Sequence, residues 1–169
     1  MAVRPILLYP ASILKTRTLP VSLSDPAIPT MVQDMLDTLD ASPGVALAAP
    51  QIGYAARMIA VDVSRKKGEQ GHGRIVLLNP HILYQEGGRT LREGCLSVPD
   101  YTGNVRRYAR IVVEGTAPDG QALSLTTSGL EALAFQHEID HLEGVLFLDR
   151  IDSLSTDLFR RRRSALSAE

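Results

Sequence analysis

The segment that most constrains the fold runs from Ser128 to Gly144 and contains QHEIDHLEG. Ser128 with Glu131 matches a capping box, and Gly144 is a typical helix stop. Between them, side chains recur at helical spacing on one face: Leu130, Leu133, Ala134, His137 and His141. We therefore predict a helix that points both imidazoles inward, beside apolar side chains.

The two histidines are separated by one helical turn, which lets one divalent metal bridge them. Glu138 is rotated about 100° from His137 and can reach a metal-bound water. This H-E-x-x-H pattern therefore indicates a metal site that performs hydrolysis. The alternative is a pair of core histidines satisfied by carbonyl groups, with Glu138 on the solvent side.

A catalytic site needs a third protein ligand, and no histidine follows His141. A later carboxylate is one candidate. The single cysteine of the chain, Cys95 in REGCLSVPD, is a better one, because a thiolate with two imidazoles suits zinc or ferrous iron and leaves a position for water. A lone cysteine can also be an inert core residue. No fourth protein ligand is evident, which favours a catalytic site over a structural one.

Residues 44 to 53, GVALAAPQIG, form a run of small side chains that contains Gln51. Small side chains let a substrate backbone approach closely, and a fixed glutamine amide can donate to a developing oxyanion. Close packing of a loop is the alternative interpretation.

The chain has 169 residues, 44% of them hydrophobic, and can form one domain with a buried core. Its formal net charge of −1 provides no positive field for nucleic acid or an anionic membrane, so we expect neither DNA nor a membrane as a partner. A single cysteine, no signal-peptide pattern in MAVRPILLYP and no long apolar stretch favour the cytoplasm.

The remaining patterns predict helix and strands in one α+β domain. An amphipathic helix is expected from Asp25 and Pro26 to the stop at Pro43-Gly44. Apolar, β-branched runs predict strands, several of them antiparallel, at RMIAVDV, RIVLLNP, RIVVEGTAPDG and ALSLTT. The segment 64 to 73 is typical of a polar loop, so we expect His72 to be solvated, and no ligand spacing surrounds His81.

Three stretches together resemble the signature of the peptide deformylase family: GVALAAPQ at 44 to 51, EGCLS at 93 to 97 and QHEIDH at 136 to 141. The family pattern is G-x-G-x-A-A-x-Q, E-G-C-x-S and Q-H-E-x-D-H, in this order. The resemblance implies removal of the formyl group from the starting methionine of new bacterial proteins. It also implies antiparallel strands wrapped around a central H-E-x-x-H helix in one domain, residues 1 to 169, and we expect a monomer.

The resemblance further implies a role for each motif residue. Cys95, His137 and His141 would hold the metal, usually ferrous iron (Fe2+) in the cell and replaceable by nickel, cobalt or zinc (Ni2+, Co2+ or Zn2+). Glu138 would move a proton from the attacking water to the leaving amine. The oxyanion would be stabilised by the backbone N–H of Leu96 and the amide of Gln51.

The formyl-Met peptide would then lie along a set of residues from the three motifs and their neighbours. These substrate-binding residues are Gly44, Val45, Ala46, Leu91, Glu93, Gly94, Leu130, Leu133 and Ala134. Val45, Leu91 and the last three would form an apolar pocket for the methionine side chain.

Two departures from the family pattern concern this binding surface. Ala46 replaces the second glycine of the first motif and adds a methyl group beside the expected peptide-binding edge. The stretch DYTGNVRR matches the family less closely, so preference beyond methionine does not follow from it.

Glu93 is expected to pair with Arg106 or Arg107, either to brace the cysteine loop or as a plain surface ion pair.

The C-terminal LFRRRRSAL places four arginines, Arg160 to Arg163, in one turn of a basic helix expected at about 154 to 167. Such a run is usually a solvated helix end. The resemblance implies a contact with the ribosome, because some deformylases dock there through a basic C-terminal helix.

Two alternatives to a deformylase stay open: a metallopeptidase or amidase of other specificity, and a non-catalytic, metal-stabilised domain.

Overall fold

The computed structural model describes residues 2–161, which form one antiparallel sheet and three helices. The sheet order is β1 (Ala46–Ala48), β2 (Met58–Val61), β3 (Ile75–Cys95), β4 (Val98–Thr116) and β5 (Ala122–Ser128), and β6 (Leu158–Arg160) pairs with β4. The helices are α1 (Ile28–Ala41), α2 (Gly129–Leu142) and the single turn α3 (Leu154–Asp157). Short 3-10 turns lie at Ser12–Lys15, Ala49–Ile52, Val63–Arg65 and Phe147–Arg150.

The α2 helix lies against the inner face of the sheet, where its apolar side chains form the centre of the core. Phe135, Ile139 and Leu142 are buried among residues of four strands: Ala46, Ile59, Val61, Leu77, Ile111 and Val113. Burial of large apolar side chains is the dominant stabilising term in folding, so this packing holds the helix firmly in place. The predicted α+β architecture, with antiparallel strands around the H-E-x-x-H helix, is confirmed.

The α1 helix covers a second apolar cluster that includes Met35 and Leu39. The helix starts at Ile28, three residues later than the predicted cap at Asp25. Asp25 instead accepts a hydrogen bond from the N–H of Ala27 to its carboxylate, at 2.9 Å, and the N–H of Ile28 donates to its carbonyl. Asp25 therefore forms the turn that leads into the helix.

The strands β3 and β4 form a hairpin much longer than the predicted runs. The sequence pattern breaks at Pro80 and at Gly87-Gly88, yet the antiparallel pairing continues, with register shifts, to Cys95 opposite Val98. The pairing continues because main-chain hydrogen bonds between the strands do not depend on alternating side chains. The hairpin carries Cys95 at the end of β3 to the middle of α2.

The start of α2 differs from the predicted capping box, which is wrong. Ser128 makes no side-chain capping bond. Glu131 instead accepts hydrogen bonds from the Thr127 hydroxyl, at 2.6 Å, and from the His72 backbone N–H, at 2.8 Å, and contacts the His72 ring nitrogen Nδ1 at 2.7 Å. His72 is thus half-exposed but bound, not simply solvated as expected, and it ties the 64 to 73 loop to α2.

The predicted basic helix at 154 to 167 is wrong over residues 158 to 160, which form β6. This strand pairs with Tyr101–Gly103 at the edge of β4. Gly103 allows the close approach, because a Cβ there would lie 3.2 Å from the carbonyl oxygen of Asp157, the residue before β6, and 2.5 Å from Ile151 Cδ1. Strand pairing and packing outweigh the helix propensity of the arginine run.

Residues 162 to 169 lie outside the described part of the chain. No helix within residues 2–161 combines the length and hydropathy needed to cross a membrane.

Candidate active site

Three potential metal ligands converge where the end of β3 meets α2. One donor atom from each of Cys95, His137 and His141 lies within 4.8 Å of the other two. The Sγ of Cys95 is 3.3 Å from Nε2 of His141, and the two imidazole rings are 5.0 Å apart at an angle of 71°. The helix supplies two donors one turn apart and the strand end supplies the third, as the sequence predicted.

The hydrogen bonds around these residues fit a metal better than a pair of structural core histidines. Within residues 2–161, buried Nδ1 of His141 has no hydrogen-bond partner, and neither has one carboxylate oxygen, Oε2, of Glu138. A core histidine would be expected to donate from Nδ1 to a carbonyl group, because buried polar atoms are normally paired, whereas Nε2 of His141 faces the Cys95 sulfur as a metal ligand would. One thiolate and two imidazoles match the preference of zinc and ferrous iron.

His137 is oriented by Glu93, whose carboxylate oxygen Oε1 lies 2.7 Å from ring nitrogen Nδ1. Glu93 is itself held by a two-point contact with Arg107, with N···O distances of 2.6 and 2.8 Å. Arg107 also donates to Asp140 at 2.6 Å, and Arg150 contacts the same carboxylate from the surface. Of the two predicted partners of Glu93, Arg107 is therefore correct, and the pair is buried rather than a surface ion pair.

Burial and the hydrogen bonds of this network shift the pKa values of Glu93, His137 and His141. Burial raises the pKa of Glu93, but the hydrogen bonds from Arg107 and His137 outweigh burial and lower it to about 2. For His137, burial lowers the pKa, but hydrogen bonds with Cys95 and Glu93 prevail and raise it well above its usual value. Burial, with the nearby charge of His137, lowers the pKa of His141. Glu93 therefore stays ionised and can accept the hydrogen on His137 Nδ1, which leaves the other ring nitrogen, Nε2, for a metal.

Glu138 lies beside the three donors but is not part of their cluster. It is buried on α2, lines the cavity and keeps one oxygen without a partner among the described residues. Burial raises its pKa to about 7. A carboxyl group with a pKa near neutrality can both accept and release a proton, which is the property that a general acid–base catalyst needs.

Gln51 is buried with its amide in a fixed orientation. Its carbonyl oxygen accepts a hydrogen bond from the Ala48 N–H at 2.9 Å, which directs the NH₂ group to the other side. That NH₂ group donates to the Ser97 hydroxyl at 3.2 Å and lies 3.7 Å from Cys95 Sγ. A hydrogen-bond donor is thus held beside Cys95, one of the three potential metal ligands, as an oxyanion site requires.

A cavity of about 420 Å³ opens onto these groups. It brings together nearly all of the predicted site residues: Gly44, Val45, Ala46, Gln51, Glu93, Gly94, Cys95, Leu96, Leu130, Leu133, Ala134, His137 and Glu138. His141 is buried and does not line the cavity. Leu91 lines a small neighbouring cavity beside Tyr108, and its place in the methionine pocket stays a prediction. Leu133 lines both cavities, so the two are neighbours and Leu91 lies close to the larger one.

Two strand segments with an unpaired side reach this cavity. The β1 strand pairs with β2 alone, and residues 91–95 of β3 pair with β4 alone, within the part of the chain that is described. Ala46 of β1 and Gly94 of β3 both line the cavity. An extended peptide can therefore add to either edge through main-chain hydrogen bonds.

Several residues at the site were not predicted to belong to it. Pro43, Lys66, Arg92 and Arg161 also line the cavity. They lie far apart in the chain and share no spacing that would link them. Asp140 does not line the cavity but pairs with Arg107 behind it. This residue could have been predicted, because a charged residue inside the QHEIDH motif, one turn after His137, indicates a buried partner.

Comparisons with known proteins agree with this site. The sequence model for "Polypeptide deformylase" matches residues 3–157. A peptide deformylase of Syntrophobacter fumaroxidans is 44% identical over 96% of this chain and 94% of its own length. A crystal structure of a peptide deformylase from Legionella pneumophila aligns with a TM-score of 0.83 at 38% identity, over 90% of this chain and 88% of that one. A crystal structure of a peptide deformylase from Thermotoga maritima aligns with a TM-score of 0.81 at 33% identity, over 90% of this chain and 100% of that one.

Proposed function

Because the chain belongs to the polypeptide deformylase family, we propose that its Cys95, His137 and His141 cluster is the metal centre of a deformylase. Enzymes of this family are metal-dependent hydrolases that remove the N-formyl group from nascent polypeptides. The observation that carries the assignment is the convergence of the three donors within 4.8 Å at a cavity also lined by Glu138 and Gln51.

When bound, the metal supplies a Lewis acid that lowers the pKa of water and polarises the formyl group. The residues that hold it would be the Cys95 thiolate and the two imidazoles. Thiolate and imidazole donors suit ferrous iron as well as zinc. The likeness to the deformylase family is the reason that we expect Fe2+ in the cell, with zinc, nickel or cobalt as substitutes in purified protein. Glu93 would orient His137 through its bond to Nδ1.

Glu138 would take the proton of the attacking water and pass it to the amine that leaves. Its pKa of about 7 supports both halves of this transfer, because the carboxylate is a competent base and the carboxylic acid a competent donor near neutral pH. Its unpartnered oxygen, Oε2, is the atom available for the proton.

The negative charge that develops on the formyl oxygen would be stabilised by two donors, the Gln51 amide and the backbone N–H of Leu96. The orientation of the amide supports the first assignment, because the Ala48 N–H fixes the carbonyl side. Leu96 lines the cavity directly after the ligand Cys95, which supports the second. Donors held in place before the reaction stabilise the transition state more than the ground state.

The peptide would lie as an extended chain along the unpaired edges of β1 and β3. Val45, Leu130, Leu133 and Ala134 line the same cavity and would accept the methionine side chain. Gly94, at the same edge, leaves room for the Arg161 guanidinium that lies over it. Polar groups at the metal and an apolar wall beside it suit a substrate with a formyl group on an apolar residue.

The cellular context is a further part of the proposal. We expect a monomer that acts in the cytoplasm, where nascent chains are made. Contact of the Arg160–Arg163 run with the ribosome also stays a prediction. Arg160 and Arg161 are exposed, which such a contact requires, and the other two arginines lie outside the described residues.

Anaerobic purification, metal analysis and a formate-release assay on formyl-Met-Ala-Ser test the proposal. We expect about one divalent metal per chain, rapid release of formate, and no cleavage of unformylated Met-Ala-Ser. Cleavage of the unformylated peptide would instead indicate a peptidase. Metal-loaded protein that acts on neither peptide would contradict the proposal.

A further inference from the structure

The cavity mouth carries positive charge that the proposed reaction does not use. Lys66, Arg92 and Arg161 line the cavity. The acidic residues that line it are Glu93 and Glu138, both buried, and Glu93 is already paired with Arg107. The whole chain has a formal net charge of −1, so this local excess does not reflect a basic protein.

The two arginines are held in position by β6. The guanidinium of Arg92 stacks on the ring of Phe159, 3.6 Å from its centroid. The backbone N–H of Arg161 donates to the Asp100 carbonyl at 2.7 Å, which extends the pairing of β6 with β4. The Arg161 guanidinium lies over Gly94, where an added Cβ would be 2.3 Å from Nη2. These contacts place both side chains at the edge where the peptide is proposed to bind.

None of these three cations has an ion-pair partner among residues 2–161. Each of the described ion pairs involves other residues, among them the exposed pair of Arg110 with Glu86 on the same two strands. A guanidinium presents a planar fork of N–H donors that matches a carboxylate. An ordered but unpaired arginine pair beside a substrate cavity therefore has the chemistry of a carboxylate-binding subsite.

We propose that Lys66, Arg92 and Arg161 form a subsite that favours formyl-Met peptides with an aspartate or glutamate shortly after the methionine. The inference rests on the proposed function, because it concerns the same cavity and the same peptide. The subsite lies at the exposed mouth, so it would add attraction for an acidic side chain without taking part in proton transfer.

The test compares amidated peptides that differ only in charge, so that no terminal carboxylate interferes. The series contains formyl-Met-Ala-Asp-amide, its Asn analogue and its Lys analogue, and the same residues placed directly after methionine. For the favoured position, we expect kcat/KM for Asp to exceed that for Asn by about threefold or more at low salt, the range for exposed ion pairs. The ratio should approach one in about 0.5 M NaCl, because salt screens exposed charges.

Variants then identify the residues responsible. Arg161→Gln and Arg92→Gln should each lower the Asp-to-Asn ratio, and Arg161→Glu should shift the preference to the Lys peptide. Lys66→Gln should act in the same direction as the first two. Arg106→Gln and Lys67→Gln are matched controls, since both residues are exposed and neither lines the cavity, and they should leave the ratio unchanged.

Two different failures can be told apart. Equal kcat/KM for Asp and Asn at low salt, or a ratio that the three variants leave intact, would overturn the carboxylate subsite while formate release still supports a deformylase. Absence of formate release from every peptide by metal-loaded protein would overturn the proposed function and the subsite with it.

Discussion

Glu93 and His137 are joined by a 2.7 Å contact between Oε1 and the ring nitrogen Nδ1, although 44 residues separate them in the chain. This contact connects the hairpin end to α2 and fixes which nitrogen of His137 faces Cys95. Arg107 keeps Glu93 ionised from the opposite side. The orientation of the His137 ring therefore depends on a buried ion pair whose members are not among the three proposed ligands.

Glu93→Gln is expected to weaken metal binding by about 10- to 100-fold, because a neutral amide holds the imidazole less firmly than a carboxylate. It should also lower the thermal midpoint, since Arg107 would lose one of its two buried partners. Metal titration and thermal unfolding measure the two effects. The control is Glu86→Gln on the same strand, whose ion pair with Arg110 is exposed and should matter little. Equal effects of the two substitutions would contradict the role of Glu93.

Glu138→Gln is expected to keep the metal but to lower turnover by at least about 10². The side chain is not one of the three donors, and glutamine has nearly the same shape but cannot accept the proton. Metal content and kcat for formate release are the measurements. Near-normal turnover at full metal content would show that another group moves the proton.

Cys95→Ala is expected to remove both the metal and the activity. The substitution deletes a charged ligand, whereas an inert core cysteine would tolerate alanine at about 1–2 kcal/mol of unfolding free energy. Metal analysis after anaerobic purification decides between the two. Ser97→Ala is a suitable control because its hydroxyl contacts the Gln51 amide but offers no soft ligand. If Cys95→Ala retained its metal, the third ligand would have to be a carboxylate.

The parts of the fold that depend on local pattern could be predicted from the sequence. The α2 helix follows from apolar and histidine residues at helical spacing, and its motif specifies two ligands and Glu138. The middle of the β3–β4 hairpin could not be predicted, because Gly87-Gly88 and the alternating charges around them hide the strand. Pairing between the two strands supplies the hydrogen bonds that the local pattern does not reveal.

The residues of the site also divide into those that stand in short sequence motifs and those that packing brings together. Gln51, Cys95 and Glu138 stand in short motifs, so it could be predicted from the sequence that they meet at one cavity, and their roles there stay a proposal. Arg161 and Arg92 meet at the cavity only because β6 pairs with the edge of β4, where Gly103 leaves room. Contacts between distant parts of a chain depend on packing, and no single segment of the sequence encodes them.

Acid stability is expected to depend on Asp34, whose carboxylate joins α1 to the N-terminal segment. Hydrogen bonds from the Tyr54 hydroxyl, at 2.6 Å, and from the Ala2 N–H, at 2.8 Å, lower its pKa from 3.8 to about 2. A lowered pKa in the folded state stabilises the protein above the unfolded value and loses this contribution as the pH falls from about 4 to about 2.

Tyr54→Phe should therefore lower the thermal midpoint at neutral pH, and its difference from the parent protein should shrink as the pH falls through that range. Thermal unfolding of both proteins across the range is the measurement. Tyr9→Phe is the matched control, because the Tyr9 side chain is half-exposed. A difference that stays constant from neutral pH to about pH 2 would show that the tyrosine acts through packing alone.

The last prediction concerns Ala46, which stands where the family pattern has glycine. Ala46 pairs with Val61 on one side of β1, lines the cavity and is buried. If a peptide adds to the free side of β1, the methyl group affects contact with the peptide more than it affects the metal. Ala46→Gly should then lower KM for a formyl-Met peptide, or leave it unchanged if the backbone has adapted.

The kcat of Ala46→Gly should change little, because binding that is equal in the ground and transition states does not raise kcat. A glycine also loosens a strand, at a cost of about 0.5–1 kcal/mol, so the thermal midpoint has to be measured beside the kinetics. Ala48→Gly on the same strand is the control, because Ala48 is buried but does not line the cavity, so it should show the loss of stability without the change in KM. A large fall in kcat for Ala46→Gly, at unchanged stability and metal content, would mean that position 46 supports the chemistry itself and that β1 is not simply a peptide-binding edge.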